Sequence, residues 1–284
     1  MSSSTDLAAV SADAVASHSR SMAHRLVSGA GSASLLAFRL APDQLSSALA
    51  HGMTPSGQFL VAGYADAGDP VTSVADGRAI DVRVDLSKEA PEPALRLVCA
   101  TAQMVGTLTW LSPDETFLML VDGDLPDRVA EIAESENGRV GVIETDRVLL
   151  RDSLGVTPMD VDTLVQAARC PKAWEAAYPS ADQEWDAYDL VASVNELFLR
   201  RICHAVADGQ IAGTICGRRS STHSCEHTLG RVFVADIDRT GVTVMSVESE
   251  ETVIAFAAFR HPATSLDDLA VQLSCLIEDS VPAR

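Results

Sequence analysis

Val15, His18, Met22 and Leu26 recur at helical spacing, and Gly29-Ala-Gly31 interrupts the pattern, so a helix is predicted from about Ala12 to Gly29. Residues 1 to about 10 are rich in Ser and Ala and poor in bulky apolar groups, which predicts fraying, and 1–18 is taken as a flexible N-terminus. Short alternating runs follow at Ser34–Arg39, Gln58–Tyr64, Ala79–Leu86, Leu95–Leu111, Thr116–Val121 and Arg139–Arg151, punctuated by Gly, Pro and Asp. Such a series predicts an antiparallel barrel rather than βαβ units, and the long run to Trp110 is expected to bend in its wall.

Pro158–Ala168 reads as a helix with Pro in its first turn. The stretch Cys170–Trp185, with Pro171, Pro179, Trp174 and Trp185, reads as a linker. In Asp186–Ala207 the residues Leu190, Val194, Leu197, Phe198, Ile202 and Ala205 make one helical face. Strands are predicted at Arg231–Asp236, Val242–Val247 and Thr252–Phe259, the first two joined by the turn Asp238-Arg-Thr-Gly241. Ser265, with Asp267 and Asp268 behind it, caps a closing helix to about Ile277. The fold class is therefore α+β. A split antiparallel β-barrel over 19–170 and a linker over 171–185 precede a small α/β domain over 186–284, in the order helix, three strands, helix.

A chain of 284 residues suffices for two modest domains, and 40 acidic against 21 basic residues disfavour binding to nucleic acid or anionic membranes by bulk charge. The absence of a leader pattern or a long apolar window suggests a cytoplasmic protein, and six scattered cysteines without a CxxC pair suggest reduced thiols. One segment departs from the acidic background. Arg200, Arg201, Arg218, Arg219 and Arg231 face only Asp208 and Glu226 in their stretch, and the loop Cys216 to His227 adds His223, Cys225 and His227. An anionic ligand is the expected guest. Cys216, His223, Cys225 and His227 have zinc-ligand chemistry, but the usual paired spacing is missing, so zinc is the lesser alternative. The pair Asp236 and Asp238 is read as turn chemistry, and His204 as a helix C-terminal cation.

The run Val232-Phe-Val-Ala-Asp-Ile-Asp-Arg-Thr-Gly-Val-Thr-Val244 resembles an L-x-x-I-D-x-x-G-I/V-x-L hairpin, and Ala255-Phe-Ala-Ala-Phe259 with Pro262 is similar to an R-x-x-F-x-x-P segment. Both mark the C-terminal α/β domain of haem-utilisation and glutamyl-tRNA reductase-binding proteins, which accompanies a pyridoxamine-phosphate-oxidase-like, FMN-binding split barrel. The family's His-rich helix start is absent, since the matching segment keeps only Asn195.

The resemblance implies a homodimer that handles or oxidatively degrades haem. His223 or His227 would take the iron, Arg218 and Arg219 the propionates, and the wall near Val105, Leu108 and Trp110 the macrocycle. It leaves two alternatives. One is a regulatory adaptor that docks a partner enzyme near Trp174 and Trp185. The other is an FMN-dependent oxidoreductase, for which Arg78, Arg83, Lys88 and Arg96 form no clean phosphate cluster.

Overall fold

A computed structural model describes residues 4–93, 96–168, 178–222 and 226–281. Helix α1 (Ser4–Val27) leads into nine strands: β1 (Ser32–Leu36), β2 (Ser46–Ala48), β3 (Ala50–Met53), β4 (Phe59–Tyr64), β5 (Ala79–Glu89), β6 (Val98–Trp110), β7 (Gly138–Glu144), β8 (Arg147–Asp152) and β9 (Gly155–Asp160). Helices α2 (Pro113–Asp122) and α3 (Asp127–Ala133) lie between β6 and β7, and α4 (Val161–Ala168) follows β9. The nine strands form one antiparallel sheet in the order β2-β1-β5-β6-β7-β4-β3, with β8 on β6 and β9 on β8. Its two ends, β2 and β3, flank the single residue Leu49, whose N–H donates to Ala62 O at 2.8 Å.

Strand β6 pairs with β5 along one edge and is long because its other edge serves two more strands: Thr101–Met104 pairs with β8, and Thr107–Trp110 pairs with β7. The expected bend thus corresponds to a change of neighbour. Strict alternation turns Ile80, Val82, Val84 and Leu86 of β5 inward against Ala102, Met104, Leu108 and Trp110 of β6. Gly31 sits at φ +79°, and a Cβ there would meet Ser87 O at 2.2 Å, so this junction between α1 and β1 requires glycine.

The rest of the chain contains α5 (Glu184–Ala192), α6 (Glu196–Ala207), β10 (Gly213–Ser220), a 3-10 turn at Glu226–Thr228, β11 (Val232–Asp238), β12 (Gly241–Val247), β13 (Glu251–Ala258) and α7 (Leu266–Asp279). Its antiparallel sheet runs β10-β13-β12-β11, and helices α5, α6 and α7 pack with it. Ser265 Oγ accepts from Asp268 N, as the expected cap of α7.

Several expectations change. The segment 1–18 was expected to be flexible, yet α1 begins at Ser4 and already buries His18, because this helix packs against strands of both sheets. Thr116–Val121 is part of α2, not a strand. Ser112 and Glu115 close a capping box, Pro113 occupies the first turn and Gly123 ends the helix at φ 72°, and these end signals outweigh the short apolar run. Ser112→Ala should lower stability by about 1 kcal/mol, read as a lower urea midpoint.

Pro158 and Met159 belong to β9, so the helix there starts only at Val161. Arg139–Arg151 divides into β7 and β8. The single helix expected over Asp186–Ala207 breaks where Asn195 accepts from Leu197 N and starts α6, and α5 begins within the expected linker. The second sheet has four strands rather than three, because β10 pairs along β13 within the segment read as a loop. No helix among the described residues is long and apolar enough to cross a membrane.

Candidate functional site

Helix α1 carries His18, Met22 and Arg25 on one face, where the two sheets approach each other. Arg25 is fully buried. One of its nitrogens donates to Asp236 Oδ2 at 2.6 Å, and the other donates to Ile237 O at 2.8 Å and lies 3.5 Å from Glu184 Oε1. Lys88 continues the inward alternation of β5, and its Nζ lies 3.0 Å from Glu184 Oε1 and 3.2 Å from Asp236 Oδ1. Beside this group, His18 Nδ1 lies 3.2 Å from Asp238 Oδ2, and the His18 ring lies 4.4 Å from that of Phe256. Asp238 Oδ1 accepts from Thr240 N, Thr240 Oγ1 and Gly241 N, so the same carboxylate also builds the β11–β12 turn.

Three bases thus meet three acids, and all are buried except Glu184, which is partly solvated. Burial opposes charge on His18, but Asp238 outweighs it and raises the imidazole above its ordinary 6.5. Burial likewise opposes ionisation of Asp236, and Arg25 with Lys88 reverses this, holding the carboxyl well below the usual range. With His18 protonated the six charges cancel. The cluster joins α1, β5, α5 and β11, and so ties the first sheet to the second.

His18, Asp236 and Asp238 also have the donor types and spacing of a metal triad. A divalent cation there would lie beside Arg25 and Lys88, whose charges already neutralise the carboxylates. The arrangement fits an ion-pair cluster better than a free-cation site.

Above the cluster opens a cleft of ≈ 390 Å³ between the sheets. Its wall from the first sheet includes Leu97, Thr101, Arg151 and Ser153, and its wall from the second includes Cys216, Arg219, Thr252 and Ile254. His18, Asp236 and Thr243 line it as well, and the buried Thr243 Oγ1 has no hydrogen-bond partner among the described residues. Asp152, also on the lining, is engaged by Ser19 Oγ and by the N–H groups of Leu154 and Gly155. Cys99 and Cys216 complete it as protonated thiols, since burial pushes Cys99 up to about 12 and raises Cys216.

The residues expected from the sequence divide. Arg219 lines the cleft, whereas Arg218 lines a separate depression with Cys203 and His204 and donates to Glu251 Oε2 at 2.7 Å. Successive strand positions face opposite sides, so the two arginines do not present a joint clamp for propionates. His227 is exposed on the 3-10 turn and does not line the cleft. His223 and Cys225 lie outside the described residues, as does Trp174. Leu108 and Trp110 are buried inside the first sheet and Val105 points out on the other face, so these three do not form one slot. Of the barrel cations weighed for flavin phosphate, Lys88 is committed to the ion cluster and Arg83 donates to Asp85.

His18, Arg25 and Arg151 carry no ligand or ion-pair reading in the sequence, and Lys88 is weighed there only for flavin phosphate. A local signal existed for two of them: His18 shares the apolar face of α1, and Lys88 takes the inward register of β5.

No family model and no curated protein matches the chain. Among solved structures it is similar to a haem-binding protein from Mycobacterium smegmatis, with 14% identity, TM-score 0.43, and coverage of 94% of this chain and 97% of that one. It is also similar to Atu2129 of Agrobacterium tumefaciens, a protein of unknown function, with 16% identity, TM-score 0.34, and coverage of 92% and 95%. Likenesses this distant carry no argument about fold or ligand.

Proposed function

We propose that the chain binds a flat, largely apolar ligand bearing acidic groups in the cleft between its sheets, with haem as the ligand that best matches the lining. The observation that carries this reading is the pair Arg151 and Arg219, one from each sheet, on a ligand-sized cleft whose other lining residues include Met22, Leu97, Val98 and Ile254. Guanidinium groups suit carboxylates, apolar side chains suit a macrocycle, and the imidazole beneath suits iron, so the donor set is compatible with haem. Iron would supply ligand-binding and redox chemistry, while the chain's residues would hold the acid groups and exclude water. A split-barrel character of the first sheet belongs to the same proposal, supported by the continuity of its end strands β2 and β3 through Leu49.

Haemin titration should give a saturable Soret band. Arg151→Ala and Arg219→Ala should each weaken binding about tenfold, the loss expected for one charge-assisted contact. A featureless titration, or variants that bind as the parent does, would remove the proposal.

An adaptor role is the second reading, favoured by Trp185, which is 59% exposed beside Tyr188. In that case Trp185→Ala would abolish capture of a partner enzyme while leaving haemin binding unchanged.

A further inference from the structure

We infer that His18, held through Nδ1 by Asp238, is the imidazole that ligates iron when haem occupies the cleft. The inference rests on the haem reading above and moves the iron ligand from the C-terminal loop to helix α1. Among the described residues His18 is the only histidine that lines the cleft. His51 Nε2 is bonded to Leu26 O, His261 Nε2 to Gln272, and His204 borders other depressions. His227 lies exposed on its turn, away from this lining.

Geometry prepares the His18 ring for such a role. Asp238 Oδ2 at 3.2 Å and Thr240 Oγ1 at 3.4 Å both address Nδ1, and Phe256 covers the ring at 4.4 Å, so Nε2 is the nitrogen left for a ligand. A carboxylate on one imidazole nitrogen fixes the tautomer and strengthens the other as a donor, the arrangement commonly found behind metal-bound histidines. Charge balance agrees. With Nε2 given to the ligand, His18 would keep the Nδ1 proton that faces Asp238, and the positive charge held on Nε2 would stand in for the proton lost there, so the neighbouring cluster would keep its neutrality. Thr243 Oγ1, buried on the same lining and unpartnered among the described residues, adds an unsatisfied polar atom beside the position that the ligand would occupy.

The test compares haemin titrations of the full chain with those of His18→Gly, His18→Met, His223→Ala and His227→Ala, with far-UV circular dichroism on each. His18→Gly should lose at least tenfold in affinity and shift the Soret maximum, and added imidazole should restore both. His18→Met, which keeps bulk at the position and exchanges nitrogen for sulfur, should bind with a displaced Soret band. His223→Ala and His227→Ala should match the parent. A parental spectrum and affinity in folded His18→Gly would overturn the inference. Should His18→Gly not fold, a parental spectrum in His18→Met would overturn it equally. Failure of the parent chain itself to give a saturable Soret band would instead defeat the haem reading on which the inference rests.

Discussion

Asp236→Ala should cost about 3–5 kcal/mol of unfolding free energy, the loss typical when one partner is removed from a buried charge group. Asp236 is the only described acid within 3.5 Å of both Arg25 and Lys88 apart from Glu184, which is itself partly solvated. Its removal leaves a fully buried guanidinium and a buried ammonium to share one remaining carboxylate. Arg25 is fully buried between α1 and β11, whereas Lys88 borders an open depression together with Glu184. The effect should therefore appear as loosened packing between the sheets as well as a lower urea midpoint, with amide exchange rising first along α1.

The triple variant Arg25→Met, Lys88→Met, Asp236→Leu provides the contrast. It removes both cations with the buried carboxylate between them, leaves only the partly solvated Glu184, and fills the space with apolar bulk, which is commonly neutral or stabilising. It should recover most of the loss, so the single and triple variants will be strongly non-additive. A loss below about 1 kcal/mol in Asp236→Ala would show that the ion cluster does not hold the two sheets together.

That cluster also marks the limit of what the sequence discloses. Local chemistry is legible in the sequence at two places where the partners are close in the chain. Asp238-Arg-Thr-Gly241 joins β11 to β12 as expected, and Ser265 caps α7 through Asp268 three residues on. Helix α2 is the exception: Thr116–Val121 reads as a short strand-like run, whereas its helix start lies just outside that run in Ser112, Pro113 and Glu115. Strand β10 was missed for a different reason. Its polar Arg218-Arg-Ser220 end becomes strand only by pairing with Val253, Thr252 and Glu251, and a pairing partner thirty residues away leaves no periodic trace.

The candidate site is harder still. His18, Arg25, Lys88, Glu184 and Asp236 are spread over more than two hundred positions, and each alone reads as an ordinary polar residue. Only tertiary assembly makes them one electrostatic unit. The basic loop that did stand out owed its prominence to composition, and the sheet then sends Arg218 and Arg219 to opposite faces.

Stability should be greatest near pH 6.5 and should fall by several kcal/mol as the pH drops toward 4. Two buried histidines set this window. Burial, with a smaller contribution from the charge of Arg239, lowers His24 from 6.5 to about 4. Burial, aided by Arg128 and opposed by the backbone bonds to Leu26 and Ala30, lowers His51 equally to about 4. In this interval the unfolded chain binds a proton at each position and the folded chain does not, so stability decreases with acid. Each depression amounts to about 3 kcal/mol when fully expressed, at 1.36 kcal/mol per unit.

The ion cluster does not offset this loss. His18 is raised in the folded state, so its contribution is complete below 6.5 and is lost only as pH rises through its folded value. Asp236 and Asp238 are lowered, so their contribution is complete above about 3.9 and fades only in stronger acid. Between 4 and 6.5 both remain constant, and the two neutral histidines alone determine the slope among these groups. His24→Leu fills a buried site whose Nε2 has no hydrogen-bond partner among the described residues, and His51→Gln can still donate to Leu26 O without titrating. Urea midpoints of the parent measured at pH 6.5 and 4.5 should differ widely, and those of the double variant should nearly coincide. An equally steep fall in the double variant would assign the acid sensitivity to other groups and remove the two histidines as its cause.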